Sequence, residues 1–379
     1  MVHCAQCTWS VDSGWTSLDE LSGLDSSQTL VLLFGVADSP EYGSAIQSLL
    51  QFFPTSFVAG CSSSGEISNN ELSVSEAQIV ATVYRFDHTQ LRIEQLDVNQ
   101  DESFQAGKAL GQALYQDSLS WVFVLSDGLR VNGSELASGF NSVLPASVPV
   151  TGGLAGDHGR FEKTLVWHKD NAKSGRIVAI GFYGHRLSVG FGSGGGWRKF
   201  GPERTVTYSK ANIVYEIDHE PALALYRTYL GSHADELPGS GLRYPLNLHV
   251  EEAGTSVIRT LLGINEDDES VTFAGDVPEG AKVQLMNTDL PSLVQGAEDA
   301  AINCQHDASP DAAILISCVG RRLLFKQMAD DEVDAVRDVL GEQTLLCGFY
   351  SYGELAPYGR AFNCGLHNQT MTVTTLKEE

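Results

Sequence analysis

The sequence predicts an α/β fold in two domains, built from internally repeated strand-helix-strand units with added antiparallel strands. Three segments follow one plan: an apolar strand, an amphipathic helix, a second short strand, and a loop ending in glycine and an acid. Two of those loops share letters, since Gly60-Cys61-Ser62-Ser63-Ser64-Gly65-Glu66-Ile67 lines up with Gly348-Phe349-Tyr350-Ser351-Tyr352-Gly353-Glu354-Leu355. Strand-like runs without helices lie between the units, at Gln78 to Phe86, Arg176 to Tyr183, Leu187 to Phe191 and Met371 to Leu376. They read as antiparallel additions to the sheets.

The first unit opens with Leu30 to Phe34, continues with a helix from about Glu41 bearing Tyr42, Ala45, Leu49 and Phe53 on one face, and returns through Phe57 to Gly60. The second has Val122 to Leu125, a helix around Ser134 to Leu144 stopped by Pro145, then Val148 to Thr151 and a loop closing at Gly156-Asp157. The third has Ala312 to Ile316, a helix around Asp330 to Leu340, then Leu345 to Gly348 and Gly353-Glu354. A connection of this length makes a right-handed parallel crossover, so each unit predicts one βαβ piece. With 379 residues the chain exceeds one ordinary core. The expected division is an N-terminal extension over 1–27 and domains over 28–230 and 231–379, with the seam where Gly231, Pro238, Gly239 and Gly241 cluster.

Composition excludes several function classes. A net charge of −24 repels nucleic-acid backbones and anionic membrane surfaces. The longest apolar runs are strand-length, and neither a basic-apolar leader nor a cleavage signal opens the chain, so the expected location is the cytoplasm. Seven scattered cysteines are no disulfide framework, and the Cys4/Cys7 pair beside His3 lacks the second ligand pair of a zinc site. Gly190 to Gly195 satisfies G-x-G-x-x-G after a strand, but Trp197, Gly201 and Pro202 break the helix a pyrophosphate would need. A Walker A motif and a nucleophile elbow are absent.

The paired Gly-x-x-Ser-x-Gly-Glu loops are the most specific signal, because loops at strand carboxyl ends are where open α/β sheets bind ligands. They nominate Cys61, Ser63, Gly65 and Glu66 with Ser351, Gly353 and Glu354 as ligand-binding residues. The structural alternative is that the glycines serve turns and each glutamate caps local amides. An enzymatic alternative uses Cys61 as nucleophile and Glu66 or Glu354 as general base.

The segment Phe57 to Ile67, Gly196-Trp197 through Gly201-Pro202, Pro221-Ala222-Leu223, Phe273 to Gly280, Cys318-Val319-Gly320-Arg321-Arg322, Gly348 to Glu354 and His367-Asn368-Gln369-Thr370 occur in an order that resembles the FIST family, which pairs an N and a C domain. The resemblance implies a non-enzymatic sensor of small molecules such as amino acids, coupled to a signalling partner, and it adds Arg321 to the ligand-binding candidates. Some members are haemoproteins that sense nitric oxide and regulate a histidine kinase. That branch implies a haem ligated by an imidazole. His185, flanked by Phe182, Tyr183, Phe191 and Arg186, is the first candidate ligand and His367 the second.

Overall fold

The computed structural model describes the chain except residues 36–41, 70, 74–77, 251–254, 305–308 and 359–362. Each expected unit forms a parallel strand pair joined by a helix. Thr29–Gly35 pairs with Phe57–Ser62 across the helix Tyr42–Phe52. Leu119–Ser126 pairs with Val150–Leu154 across Gly133–Asn141, and Ala312–Cys318 with Leu345–Ser351 across Asp330–Leu340. The expected helix start at Glu41 lies outside the described residues. The second helix ends at Asn141, before Leu144, because the residue preceding a proline is disfavoured in the α region. The third unit carries a further helix, Val319–Phe325, that periodicity did not reveal.

Strand alternation decides how the three units assemble. Leu30, Leu32 and Phe34 point into one central core with Trp121, Phe123 and Leu125 of the second unit and Ile314, Ile316 and Phe349 of the third. The intervening residues face outward: Val31 and Leu33 under Tyr42–Phe52, Val122 and Val124 under the second unit's helices, Ala313 and Leu315 under the third's. Three sheets thus close around a shared interior, where Phe34 stacks on Phe349 with centroids 4.6 Å apart.

The sheets also exchange strands in a ring. After its glycine-acid loop, the first unit's hairpin Glu66–Ser68 and Glu71–Ser73 joins the third sheet beside Leu345–Ser351. The third unit's hairpin, Gly353–Pro357 and Cys364–His367, joins the second sheet beside Val150–Leu154. The second unit's hairpin, Val166–His168 and Asn171–Lys173, joins the first beside Phe57–Ser62. An outer strand completes each sheet: Val2–Ser10 on Gln78–Phe86, Gln90–Asp97 on Arg176–Tyr183, and Leu187–Gly194 on Met371–Glu378. The segment read as an N-terminal extension therefore opens with a nine-residue strand of the first sheet. Its Cys4 and Cys7, three residues apart, fall on opposite faces, Cys4 against the central core and Cys7 in the outer one.

A fourth sheet, with the helix Ala222–Leu230 and its own core around Val206, Tyr226, Phe273 and Leu285, is inserted between Leu187–Gly194, the outer strand of the third sheet, and the helix Leu290–Ile302 that precedes the third unit. The expected seam near residue 230 falls at the end of that helix, within this inserted module. The chain enters the module through the glycine run, whose role is packing. A Cβ at Gly192, Gly194 or Gly196 would lie 2.1 Å from Ala300 O, 2.0 Å from Gly296 O or 1.8 Å from Ser292 O, all on the helix Leu290–Ile302. The helix absent after this G-x-G motif is thus supplied by residues beyond the module, and it meets the glycines side-on. Gly194→Val should destabilise the chain by about 1–3 kcal/mol, as overpacking does, in urea melts; wild-type stability would show that strand and helix separate freely.

Candidate functional site

The three glycine-acid loops meet one another where the units join. Ser64 N donates to Tyr350 O at 2.8 Å, Gly156 N to Ser62 O at 2.9 Å, and Tyr352 N to Leu154 O at 3.0 Å. The first glycine of the shared pattern answers to close strand approach: a Cβ at Gly60, Gly152 or Gly348 would lie 2.1, 1.9 or 1.8 Å from the carbonyl of Leu33, Val124 or Leu315 on the parallel partner strand. The glutamates repeat one arrangement. The Ser63 hydroxyl donates to Glu66 Oε1, and that of Ser351 donates to Glu354 Oε1 at 2.7 Å. Glu354 Oε2 also accepts from the Thr370 hydroxyl at 2.8 Å. Asp157, the third acid, accepts instead from the Tyr352 hydroxyl and from the backbone amides of Phe161, Glu162 and Lys163.

Burial pushes both glutamates up to about 8, against the hydrogen bonds that favour their charged forms. Burial would raise Asp157 too, but the Tyr352 hydroxyl and the three amides outweigh it and hold that carboxyl below its usual range. Cys61 sits in the central core, where burial first and Glu66 second push its thiol well above its ordinary value. Cys61, Ser63, Gly65 and Glu66 thus lie together, with Ser351, Gly353 and Glu354 in the equivalent place. Each nominated residue is buried, and none lines the two chambers beside the inserted module.

Arg321 is buried as well, with its donors on protein acceptors. It pairs with Glu332 at 2.7 Å and donates to Gly195 O and Leu293 O at 2.8 Å each, while Glu332 also accepts from Ser317 and Tyr350. The network ties the Val319–Phe325 helix to its neighbours and to the root of the inserted module. Truncation in Arg321→Ala strands the Glu332 charge and should cost about 3–5 kcal/mol, whereas Arg321→Met with Glu332→Leu should recover part of that loss in the same melts. Full stability of Arg321→Ala would remove the strut and reopen a ligand role.

Neither histidine fits a haem as placed. His185 is exposed at the turn after Arg176–Tyr183, while Phe182 stacks on Trp121 inside the central core at 4.1 Å and Tyr183 donates to Leu114 O. Strand alternation sends Phe182 into the central core and Tyr183 to the opposite, helix-covered face, so the expected pocket aromatics do not converge on the imidazole. His367 is buried with Nε2 3.1 Å from Ala356 O, and burial pushes its pKa down to about 4. Among the described residues no group of three or more His, Cys, Asp or Glu could hold a metal ion.

A cavity lies between the three-unit body and the inserted module. Its main chamber, about 370 Å³, is walled by Cys318, Gly320, Leu323, Tyr352 and Asn368 of the third unit, by Thr260, Leu261 and Ala274 of the module, and by Phe161 of the second unit. A side chamber of about 220 Å³ shares Phe161, Leu262, Ala274 and Tyr352 and reaches Asp276. Phe161 lies flat on Tyr352, centroids 4.4 Å apart, and the Asp157 knot holds both in place. Thr260 and Asn368 line the main chamber, and their side-chain oxygens Oγ1 and Oδ1, buried beneath its surface, have no hydrogen-bond partner among the described residues, a condition that costs about 1–3 kcal/mol each. A larger depression of about 700 Å³ near Arg243 and Asp289 is more open, and exposed residues such as Lys326, Gln327 and Met328 line it.

Sequence reasoning missed Thr260 and Phe161, which no motif marked. Asn368 and Tyr352 lay inside quoted motifs, but the neighbouring acids drew the assignment. The two raised carboxyls carry a pH dependence. They stabilise the fold fully below an unfolded pKa of about 4.5, and that contribution is lost as pH rises through about 8. Glu66→Gln should therefore lose less stability than wild type between pH 5 and pH 8.5 in urea melts; identical slopes would mean that Glu66 is ionised throughout.

A family model for the FIST N domain matches residues 29–220, and one for the FIST C domain matches residues 222–357. An uncharacterized protein of Methanocaldococcus jannaschii is 20% identical over 325 residues, which is 79% of this chain and 61% of that protein, so this chain spans less than two thirds of its relative's length. A crystal structure of cyanuric acid hydrolase from A. caulinodans aligns over 100% of this chain and 99% of its own at 9% identity, with a TM-score of 0.35, a likeness too distant to assign a reaction. With both domain models matched in order along one chain, the protein belongs to the FIST family, whose domains are associated with sensing and signal transduction.

Proposed function

We propose that this protein is a small-ligand sensor whose ligand sits in the chamber between the three-unit body and the inserted module. The observation that carries the reading is that both bodies supply the walls, and each contributes a wall residue whose buried oxygen has no partner among the described residues. A ligand satisfying both would bridge the two bodies. Its binding shifts an equilibrium between module positions only to the extent that it contacts one position better than the other. In this reading the chain acts by binding, without turnover, in the cytoplasm, and the recipient is a signalling protein such as a histidine kinase. The charge of −24 steers it toward a basic partner surface and makes their encounter salt-sensitive.

The test is a thermal-shift screen of a metabolite panel that includes amino acids, run on wild type and on Leu323→Trp, which places an indole at the chamber mouth. The expected result is stabilisation by at least one compound that disappears in Leu323→Trp while the unliganded melt stays put. Equal stabilisation of both proteins would place the ligand elsewhere. Hemin serves as the control for haem sensing: a Soret band that shifts with nitric oxide and vanishes in His185→Ala or His367→Ala would replace the proposed chamber by a haem site. Kinase autophosphorylation that responds identically to the ligand-bound and ligand-free forms would remove the regulatory half of the proposal.

A further inference from the structure

The chemistry of the chamber wall specifies its occupant more closely than the sensor reading requires, although the ligand class still rests on that reading. No charged side chain lines the main chamber among the described residues. A carboxylate or phosphate entering it would give up water without meeting an opposite charge, which costs several kcal/mol per ion. The free polar atoms are oxygens. Asn368 already donates its amide hydrogen to His367 O at 2.9 Å, which leaves Oδ1 as an acceptor without a donor. Thr260 Oγ1, on the module side, can accept as well as donate.

The rest of the wall is apolar and partly flat. Tyr352, with Phe161 lying at 11° to its ring, forms an aromatic wall, and Leu261 and Leu323 supply aliphatic surface. Tyr352 donates its hydroxyl to Asp157, so the phenol contributes its ring and not a free donor. We infer that the ligand is an uncharged planar compound with an N–H donor, such as an amide, a lactam or an N–H heterocycle, whose donor meets Asn368 Oδ1 once that side chain turns from its buried position toward the chamber, while its face packs on Tyr352 and Phe161. Zwitterionic amino acids and haem fall outside this class, the first for want of a cationic partner to the carboxylate and the second for its propionates.

The test compares three probes of one shape by calorimetric or NMR titration of the full chain: benzamide, an uncharged N–H donor; methyl benzoate, uncharged with acceptors only; and benzoate, an anion. The expected order of affinity is benzamide, then methyl benzoate, then benzoate. Asn368→Leu should weaken benzamide by about 5- to 10-fold, the size of one net hydrogen bond, and leave methyl benzoate within about twofold. Thr260→Val, which keeps shape and removes the hydroxyl, gives a second readout should Asn368→Leu fail to fold, and it should narrow the same preference. Benzoate binding as tightly as benzamide, or a benzamide preference unchanged in both variants, would overturn the ligand class and leave the chamber as the seat. Failure of all three probes to bind the intact chain would also overturn the class, and the Leu323→Trp screen then decides separately whether the chamber is a seat at all.

Discussion

Each of the three sheets of the three-unit body has two apolar faces, and helices cover only one of them. The inner faces exclude water only by closing on one another, and the architecture follows from that requirement. Leu30, Phe34, Phe123, Leu125, Ile314 and Phe349 reach a single core from three directions, so no unit is a finished domain by itself. The strand exchange reinforces the closure, since each unit hands its hairpin to a neighbour's sheet. Backbone hydrogen bonds of one unit are then completed by another, as the sheet edge beside Val150–Leu154 is by Gly353–Pro357.

This closure changes what the glycine-acid loops are for. In an open sheet, loops at strand carboxyl ends are exposed to a crevice and bind ligands. Here they are the crossing points of the exchange, pressed against one another by the Ser64–Tyr350, Gly156–Ser62 and Tyr352–Leu154 hydrogen bonds. Glu66 and Glu354 are buried in the crossings and take their hydrogen bonds from nearby hydroxyls. The accessible concavity moves outward, to where the inserted module leans on the third unit, and its aromatic wall is anchored by the one crossing acid that differs, Asp157.

The glycine run shows how a motif can be read correctly as ordered and still mislead about its partner. Gly192, Gly194 and Gly196 give a strand with no side chains on the face that meets Leu290–Ile302, which allows backbone contact between helix and strand. The module lies between them in sequence, so neither periodicity nor local spacing links the two. The same separation hides part of the Arg321 strut, whose acceptors Gly195, Leu293 and Glu332 come from three elements 126, 28 and 11 residues away, with the module between Arg321 and Gly195.

What the sequence determined by itself was local. The three strand-helix-strand units, their parallel pairing and the helices over Tyr42–Phe52 and Asp330–Leu340 all followed from apolar periodicity, because alternation and amphipathicity are set within one turn or one strand, and the order of short motifs along the chain carried the resemblance to the family. Which neighbour receives each hairpin was decided only in the tertiary structure. Unpaired sheet edges in three similar units are chemically alike, and sequence carries no label saying which edge a hairpin such as Glu66–Ser68 will complete. The chamber was hidden for the same reason: Thr260, Asn368, Phe161 and Tyr352 are unremarkable as letters and become a site only when the module, the third unit and the second unit are folded against one another.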